Sequence, residues 1–351
     1  HADETAPATS NHIVHLVPSP DQSDILTYHK ADVPEPSGPT MDLTATNIVI
    51  ATGAKPRPLP GNPFAGALID STQALEVNEF PSSAVIIGAG AIALEFASMW
   101  NAAGSKVTLL IRKDRVLSAW DRRAGTTLTR ELKRHGVNII TRASVTHVDT
   151  GANLGATVHY TREGQDGEQS VWGEIALVAI GRDPITDPAW GVTIDDHGHV
   201  ATDAYGRTDK PGVWAVGDVT AGHALAHRAF EQGIVIAETI AGLNPKPVDE
   251  ATVPQIVFSF PEAASVGLTV EQAQAREDLI EIKETNYPML ANARMLMSGT
   301  AGSLTIVSGC DAANPDTPRV LGVHMVSQMA SDIIAEAEQL VGNHVPLADA
   351  A

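Results

Sequence analysis

The stretch "AVIIGAGAIALEFASMWNAAG", which begins at Ala84, constrains this chain more than any other. A β-branched run stops on Gly88 and Gly90, and an amphipathic segment follows as far as Gly104. That is a strand, a glycine turn and a helix in immediate succession. Gly88 permits the tight turn, Gly90 lets the backbone approach a pyrophosphate, and the small Ala93 keeps helix close to strand. The helix start offers N–H groups and the positive end of its dipole to an anion. "KVTLLI", "RRAGTTLTRELKRHG" and "VNIITRASV" then continue as strand, helix and strand. This β-α-β-α-β order predicts a parallel sheet of the α/β class, with a Rossmann-like dinucleotide site around Gly88, Ala89, Gly90, Ala91, Ile92 and Ala93.

The end of the second strand, "LLIRKDRVL", departs from the usual pattern. A dinucleotide fold commonly places an acid there to hold a ribose hydroxyl. This chain has Ile111, followed by Arg112 and Lys113, with Arg115 close behind. Such an acid would repel a 2′-phosphate, whereas a guanidinium can grip phosphate oxygens bidentately. NADP(H) is therefore expected over NAD(H). The competing reading is that "RKDR" is a solvated surface turn.

Two further strands end on glycine turns. "TNIVIATGA" carries Thr52, Gly53 and Ala54, and "GVWAVGDV" carries Asp218, an acid placed to reach a ligand hydroxyl beyond the strand end. A long helix is expected after it, with Ala224, Leu225, Ala226 and His227 at its start. The last hundred residues alternate strands with helices, an α+β pattern. Before residue 45 the chain is polar and proline-rich, and "HIVHLV" and "DILTYH" are candidate hairpin strands.

Composition sets the limits. A net charge of −19 argues against a general nucleic-acid or anionic-membrane binder. No apolar run approaches the roughly 18 residues needed to span a bilayer. The single cysteine, Cys310, allows no internal disulfide and no CxxC zinc site. It is expected to be a loop thiol in a cytoplasmic protein, and no metal site is expected. "HADETAPATS" lacks a signal-peptide pattern and suggests a chain entered partway through.

Taken together, "TNIVIATGAKPRPLPG", "VIIGAGAIALE", "VAIGRDP", "GVWAVGDV…LAHRAFEQG" and "GVHMVS…IIAEAEQL" resemble the flavin-dependent pyridine nucleotide-disulfide oxidoreductases over about residues 45–351. "VPQIVFSFPEAASVG" and "ANAR" bring the chain nearest the dihydrolipoamide dehydrogenase branch, while "LLIRKDRVL" looks more like the NADPH-using glutathione reductases. The resemblance implies an NAD(P)-binding domain (83–206) inserted in a partial FAD-binding domain (1–82, returning at 207–250), then an α+β dimerisation domain (251–351).

It also implies residue roles. Thr52, Gly53, Ala54, Asp218, Ala224, Leu225, Ala226 and His227 would contact FAD. Gly88 to Glu95, with Arg112, Lys113 and Gly181, would hold NAD or NADP, and Glu95 would lie near the reacting rings. A homodimer and a disulfide substrate such as lipoamide are implied too. Glutathione or mercuric reductase and transhydrogenase activities stay open, as does a non-catalytic nucleotide-binding or dimerisation module. The family's first glycine-rich motif, its CxxxxC pair and its His-x4-Glu pair have no counterpart in this sequence. A piece of a longer enzyme, binding nucleotide weakly and inactive as a disulfide reductase, is therefore expected.

Overall fold

The computed structural model describes residues 14–15, 41–42, 45–151, 155–297 and 299–350. The chain runs through β1 (Val14–His15), β2 (Met41–Asp42), β3 (Ile48–Ile50), β4 (Ala54–Pro56), β5 (Leu68–Ile69), α1 (Ser71–Leu75), β6 (Ser83–Ile87), α2 (Ala91–Ala102) and β7 (Lys106–Ile111). Next come α3 (Arg122–Arg134), β8 (Asn138–Thr141), β9 (Ala143–Asp149), β10 (Ala156–Arg162), β11 (Gln169–Gly173), β12 (Ile175–Val178), β13 (Arg182–Pro184), β14 (Val213–Ala215) and α4 (Ala226–Ile240). The last part holds β15 (Gln255–Val257), β16 (Glu262–Gly267), α5 (Val270–Gln274), β17 (Leu279–Pro288), α6 (Ala293–Met297), β18 (Ser303–Asp311), β19 (Asn314–Ser327) and α7 (Ala330–Gly342). Among the described residues no helix is long and apolar enough to cross a membrane.

Two compact units divide the chain, one of residues 1–55 and 183–248, the other of residues 56–182 and 249–351. The second contains the parallel sheet foreseen from the glycine turn, with strand order β5-β12-β6-β7-β8. Its strands are near-continuous apolar runs because both faces are covered. Side chains alternate along each strand, so Ile86, Leu109 and Ile111 enter one core with Leu94, Trp100, Leu128 and Leu132 of α2 and α3. Val85, Ile87 and Leu110 enter a second core with Val158 and Tyr160 of β10. β10 is the centre of a three-stranded antiparallel sheet, β11-β10-β9. Along "QSVWGEIALV" the chain changes sheet: β11 joins this one and β12 the parallel one.

An antiparallel sheet of order β15-β16-β19-β18-β17 completes this unit. α7 covers it, burying Ile334, Ala337 and Val341 against Ala264, Val323 and Met325. Cys310 lies in β18 and is 1% exposed. The loop thiol expected from "VSGCDAANPD" is therefore a core strand residue, its side chain turned inward by the strand's alternation. This sheet is joined to the nucleotide-type module. Glu95 and Ser98 of α2 accept the backbone N–H groups of Phe258 and Phe260, and the buried Glu131 of α3 accepts that of Ala301.

The other unit is built on β3 and β14, which pair in parallel. Ile50, Val213 and Ala215 pack there with Trp190, Val192 and Val200. That packing draws residues 183–206 to this unit, while β5 draws 68–69 into the parallel sheet, so the compact units part near 55 and 182. "DILTYH" lies outside the described residues. Of "HIVHLV" only Val14–His15 is among the described residues, and it pairs in parallel with Met41–Asp42.

Candidate functional site

The parallel sheet creates the first candidate site. Sequence runs from β6 outward through β7 to β8, then crosses back to place β12 on the other side of β6. The carboxyl ends of β6 and β12 therefore flank the topological switch point, where open α/β sheets bind ligands. Gly88 follows β6 with φ +144°, and a Cβ there would sit 2.1 Å from the Ala179 carbonyl oxygen. Only glycine fits. Ala93, fully buried, comes 3.3 Å from that same point.

Gly90 behaves differently. Its backbone is extended, with φ −92°, and a Cβ built on it meets nothing within 4 Å. Packing does not demand glycine here; the residue instead leaves its outer side open. Gly90 is the N-cap of α2 and supplies no side-chain acceptor to the first turn of Ala91, Ile92 and Ala93. Gly181 lies beyond β12 with φ +133°, and its carbonyl accepts the N–H of Arg57 at 3.0 Å. The Ala89 carbonyl is engaged by the N–H of Leu117 at 2.9 Å.

Ile111, at the end of β7, is 1% exposed and faces the core. Arg112 and Lys113 are exposed at the strand's carboxyl end, and among the described residues neither has an ion-pair partner. Arg115 differs: it pairs with Asp114 at 3.2 Å and donates to the Ser118 carbonyl at 3.1 Å. The "RKDR" run is thus split between an internal pair and two unpaired cations. Glu95 sits one helical turn along α2, its carboxylate held by the N–H of Phe258 at 3.0 Å.

The second candidate site belongs to the other unit. β3 and β14 are neighbouring parallel strands, so Thr52–Ala54 and Gly217–Val219 leave the same edge. Gly53 has φ +70°, and Thr52 Oγ1 donates to the Ile185 carbonyl at 2.6 Å. Gly217, φ +77°, donates its N–H to Gln232 Oε1 of α4 at 3.0 Å, which fixes the turn carrying Asp218. α4 begins at Ala226, with Leu225 as N-cap and no side-chain cap. Ala224 therefore precedes the helix expected to contain it, because "HALA" offers no capping residue to mark the start. Ala226 and His227 are exposed in the first turn.

Arg228 is a residue that sequence reasoning passed over. It is 3% exposed and donates to the Ala221 carbonyl and, at 3.5 Å, to Thr220 Oγ1. A charged residue in the first turn of an otherwise apolar stretch was the available signal.

Residues 14–233 match the model of the pyridine nucleotide-disulphide oxidoreductases, and residues 253–351 match the dimerisation domain of the same family. A dihydrolipoyl dehydrogenase of Cupriavidus necator is 38% identical over 301 residues, covering 84% of this chain and 61% of that protein. One from Geobacillus stearothermophilus is 35% identical over 298 residues, with the same coverage of each. Among solved structures, LpdA from Mycobacterium tuberculosis superposes with a TM-score of 0.76 at 27% identity, over 88% of this chain and 65% of its own. The flavoprotein disulfide reductase RclA of Escherichia coli gives 0.75 at 27% identity, over 87% and 68%. The chain spans about three fifths of the length of these two curated relatives. With an α/β nucleotide-type module followed by a dimerisation-type sheet, it belongs to the pyridine nucleotide-disulphide oxidoreductase family.

Proposed function

We propose that this chain serves a dihydrolipoyl dehydrogenase-like flavoprotein, passing electrons between NAD(P)H, FAD and a disulfide substrate such as lipoamide. The observation that carries the reading is the glycine cradle at the switch point, open at Gly90 and rimmed by Arg112 and Lys113. The first turn of α2 would take the pyrophosphate on its N–H groups. Gly181 would leave room on the opposite wall. Arg112 and Lys113 would hold a 2′-phosphate, which favours NADP(H). The names of the curated relatives, dihydrolipoyl dehydrogenases, keep the NAD(H) reading as the second one.

FAD, when bound, supplies the two-electron relay between nicotinamide and disulfide. The turns at Gly53 and Gly217 suit a ligand approached closely by backbone. Thr52, Gly53 and Ala54 would line it, and Asp218 would accept a hydrogen bond from one of its hydroxyls. Ala224, Leu225, Ala226 and His227 would bring the positive end of α4 to electron-rich ring atoms. Glu95 would stand beside the nicotinamide as an auxiliary group. Cys310, buried alone in β18, supplies no thiol pair, so the proposal gives this chain the nucleotide and flavin contacts and not thiol exchange. The match of residues 253–351 to a dimerisation domain supports a homodimer, and a cytoplasmic setting suits the lone thiol.

The test is a titration of the chain with NADPH and with NADH, read by nicotinamide fluorescence. Saturable binding that weakens at least about tenfold in Gly90→Ala supports the site; no binding of either nucleotide overturns it.

A further inference from the structure

The small antiparallel sheet β11-β10-β9 carries a cluster that shares no residue with either glycine site. His147 of β9 lies directly opposite His159 of β10, and Asp149, two residues further along β9, projects to the same face. The two imidazoles stack with centroids 4.0 Å apart and planes 9° from parallel. Asp149 Oδ2 is 3.1 Å from His159 Nε2 and 3.8 Å from His147 Nε2. One ligand atom from each of the three residues falls within 4.8 Å of the others.

The other edge of the rings is occupied as well. Glu168, just ahead of β11, places Oε1 3.7 Å from His147 Nδ1 and Oε2 3.6 Å from His159 Nδ1. Thr146 Oγ1 donates to Glu168 Oε1 at 2.6 Å and holds that carboxylate in place. Without an ion, His159 Nε2 donates to Asp149 Oδ2 at 3.1 Å. A cation taking the place of that proton would leave the ring proton on Nδ1, the edge that Glu168 faces in both rings. A carboxylate behind a ligating imidazole is the usual outer support of a metal site.

We propose that His147, His159 and Asp149 bind one divalent transition-metal cation of borderline softness, such as Zn2+, Ni2+ or Cu2+, with Glu168 as the positioning residue. Two imidazoles and one carboxylate select such ions over Mg2+ and Ca2+, which favour oxygen ligands. The side chains are between 23% and 66% exposed, so an ion has direct entry and the remaining coordination positions are open to water. Sharing an ion requires the parallel rings to splay apart, which their exposure allows. The bound cation would tie β9 to β10 and, through Glu168, to the start of β11.

The experiment is a calorimetric titration of the full chain with ZnCl2, repeated on variants whose fold is checked by circular dichroism. One equivalent of zinc is expected to bind, at least about tenfold weaker in His147→Gln and in His159→Gln. Glu168→Gln should weaken binding by about 10–100-fold, the range for loss of an outer-shell partner. His197→Gln, another solvent-facing histidine change, should leave binding unaltered. Cu2+ should give an electron paramagnetic resonance spectrum with coupling to two imidazole nitrogens, lost when both histidines are replaced. The proposal is overturned if zinc shows no saturable binding or if the double variant binds it unchanged. Should a histidine variant fail to fold, the Cu2+ spectrum of the unaltered chain decides: fewer than two nitrogen couplings count against the site.

Discussion

Glu95 of α2 accepts the backbone N–H of Phe258 at 3.0 Å, across 163 residues of sequence. A residue the family resemblance reserves for the nicotinamide is thus also a clasp between helix and sheet. Replacing Glu95 by Ala should lower the stability of the chain by about 1 kcal/mol, the usual net worth of one hydrogen bond. Glu95→Gln, which keeps an acceptor oxygen, should cost less. Urea denaturation of the three proteins measures it; equal midpoints would show that the clasp adds nothing.

The two glycines of the turn should separate folding from binding. Gly88→Ala forces a Cβ to 2.1 Å from a carbonyl oxygen at φ +144°, and overpacking of that kind costs about 1–3 kcal/mol or more. Gly90→Ala meets nothing within 4 Å at an ordinary φ. It should change stability by less than about 1 kcal/mol while weakening NADPH binding at least tenfold. Thermal melts and fluorescence titrations on both variants check the contrast. Equal melting losses would refute it.

Arg112→Ala tests the rim. If Arg112 holds a 2′-phosphate, NADPH should bind at least about tenfold more weakly to the variant, equivalent to ~1.4 kcal/mol, with NADH unaffected. An equal response to the two nucleotides would make "RKDR" a surface turn and leave NAD(H) as the cofactor.

His324 predicts a pH dependence. It is 1% exposed; its Nε2 donates to the Leu268 carbonyl at 3.1 Å, so Nδ1 accepts from Ser265 Oγ at 2.7 Å. Burial pushes its pKa below the ordinary 6.5. The folded state therefore keeps a neutral ring where the unfolded chain takes up a proton. More protons on the unfolded side mean that stability rises with pH. The contribution is present above about 6.5 and is lost as pH falls from there toward the folded pKa. Urea midpoints for the wild type should drop between pH 7.5 and 5 more steeply than those of His324→Gln. Parallel curves would exclude the effect.

Much of this was legible in residues 84 to 141 because the signals there are local. β-branched runs, glycine turns and helical periodicity each declare an element within a few residues, and their order then dictates a parallel sheet. Less could be read where tertiary pairing decides. Nothing near Cys310 distinguishes a loop from the buried strand it occupies. Leu225 caps α4 without a side-chain acceptor, so the start of the helix carries no mark. The His147–Asp149–His159 cluster depends on a β9–β10 register shifted by a bulge after His159, and no spacing rule along the chain reveals that. Similarly, only the covered faces of β5 and β12 show that residues 68–69 belong with the parallel sheet.

Gly88 has one more implication. Its missing side chain is what lets the Ala179 backbone close against β6, so the floor of the crevice and the seam between two strands are the same few atoms. A lineage of such proteins could not remodel that floor without unstitching its own sheet. The rim is under no such obligation, since the side chains of Arg112 and Lys113 are exposed and take part in no ion pair among the described residues. Change in nucleotide preference would therefore be written at the edge of the crevice, over a base that stays constant.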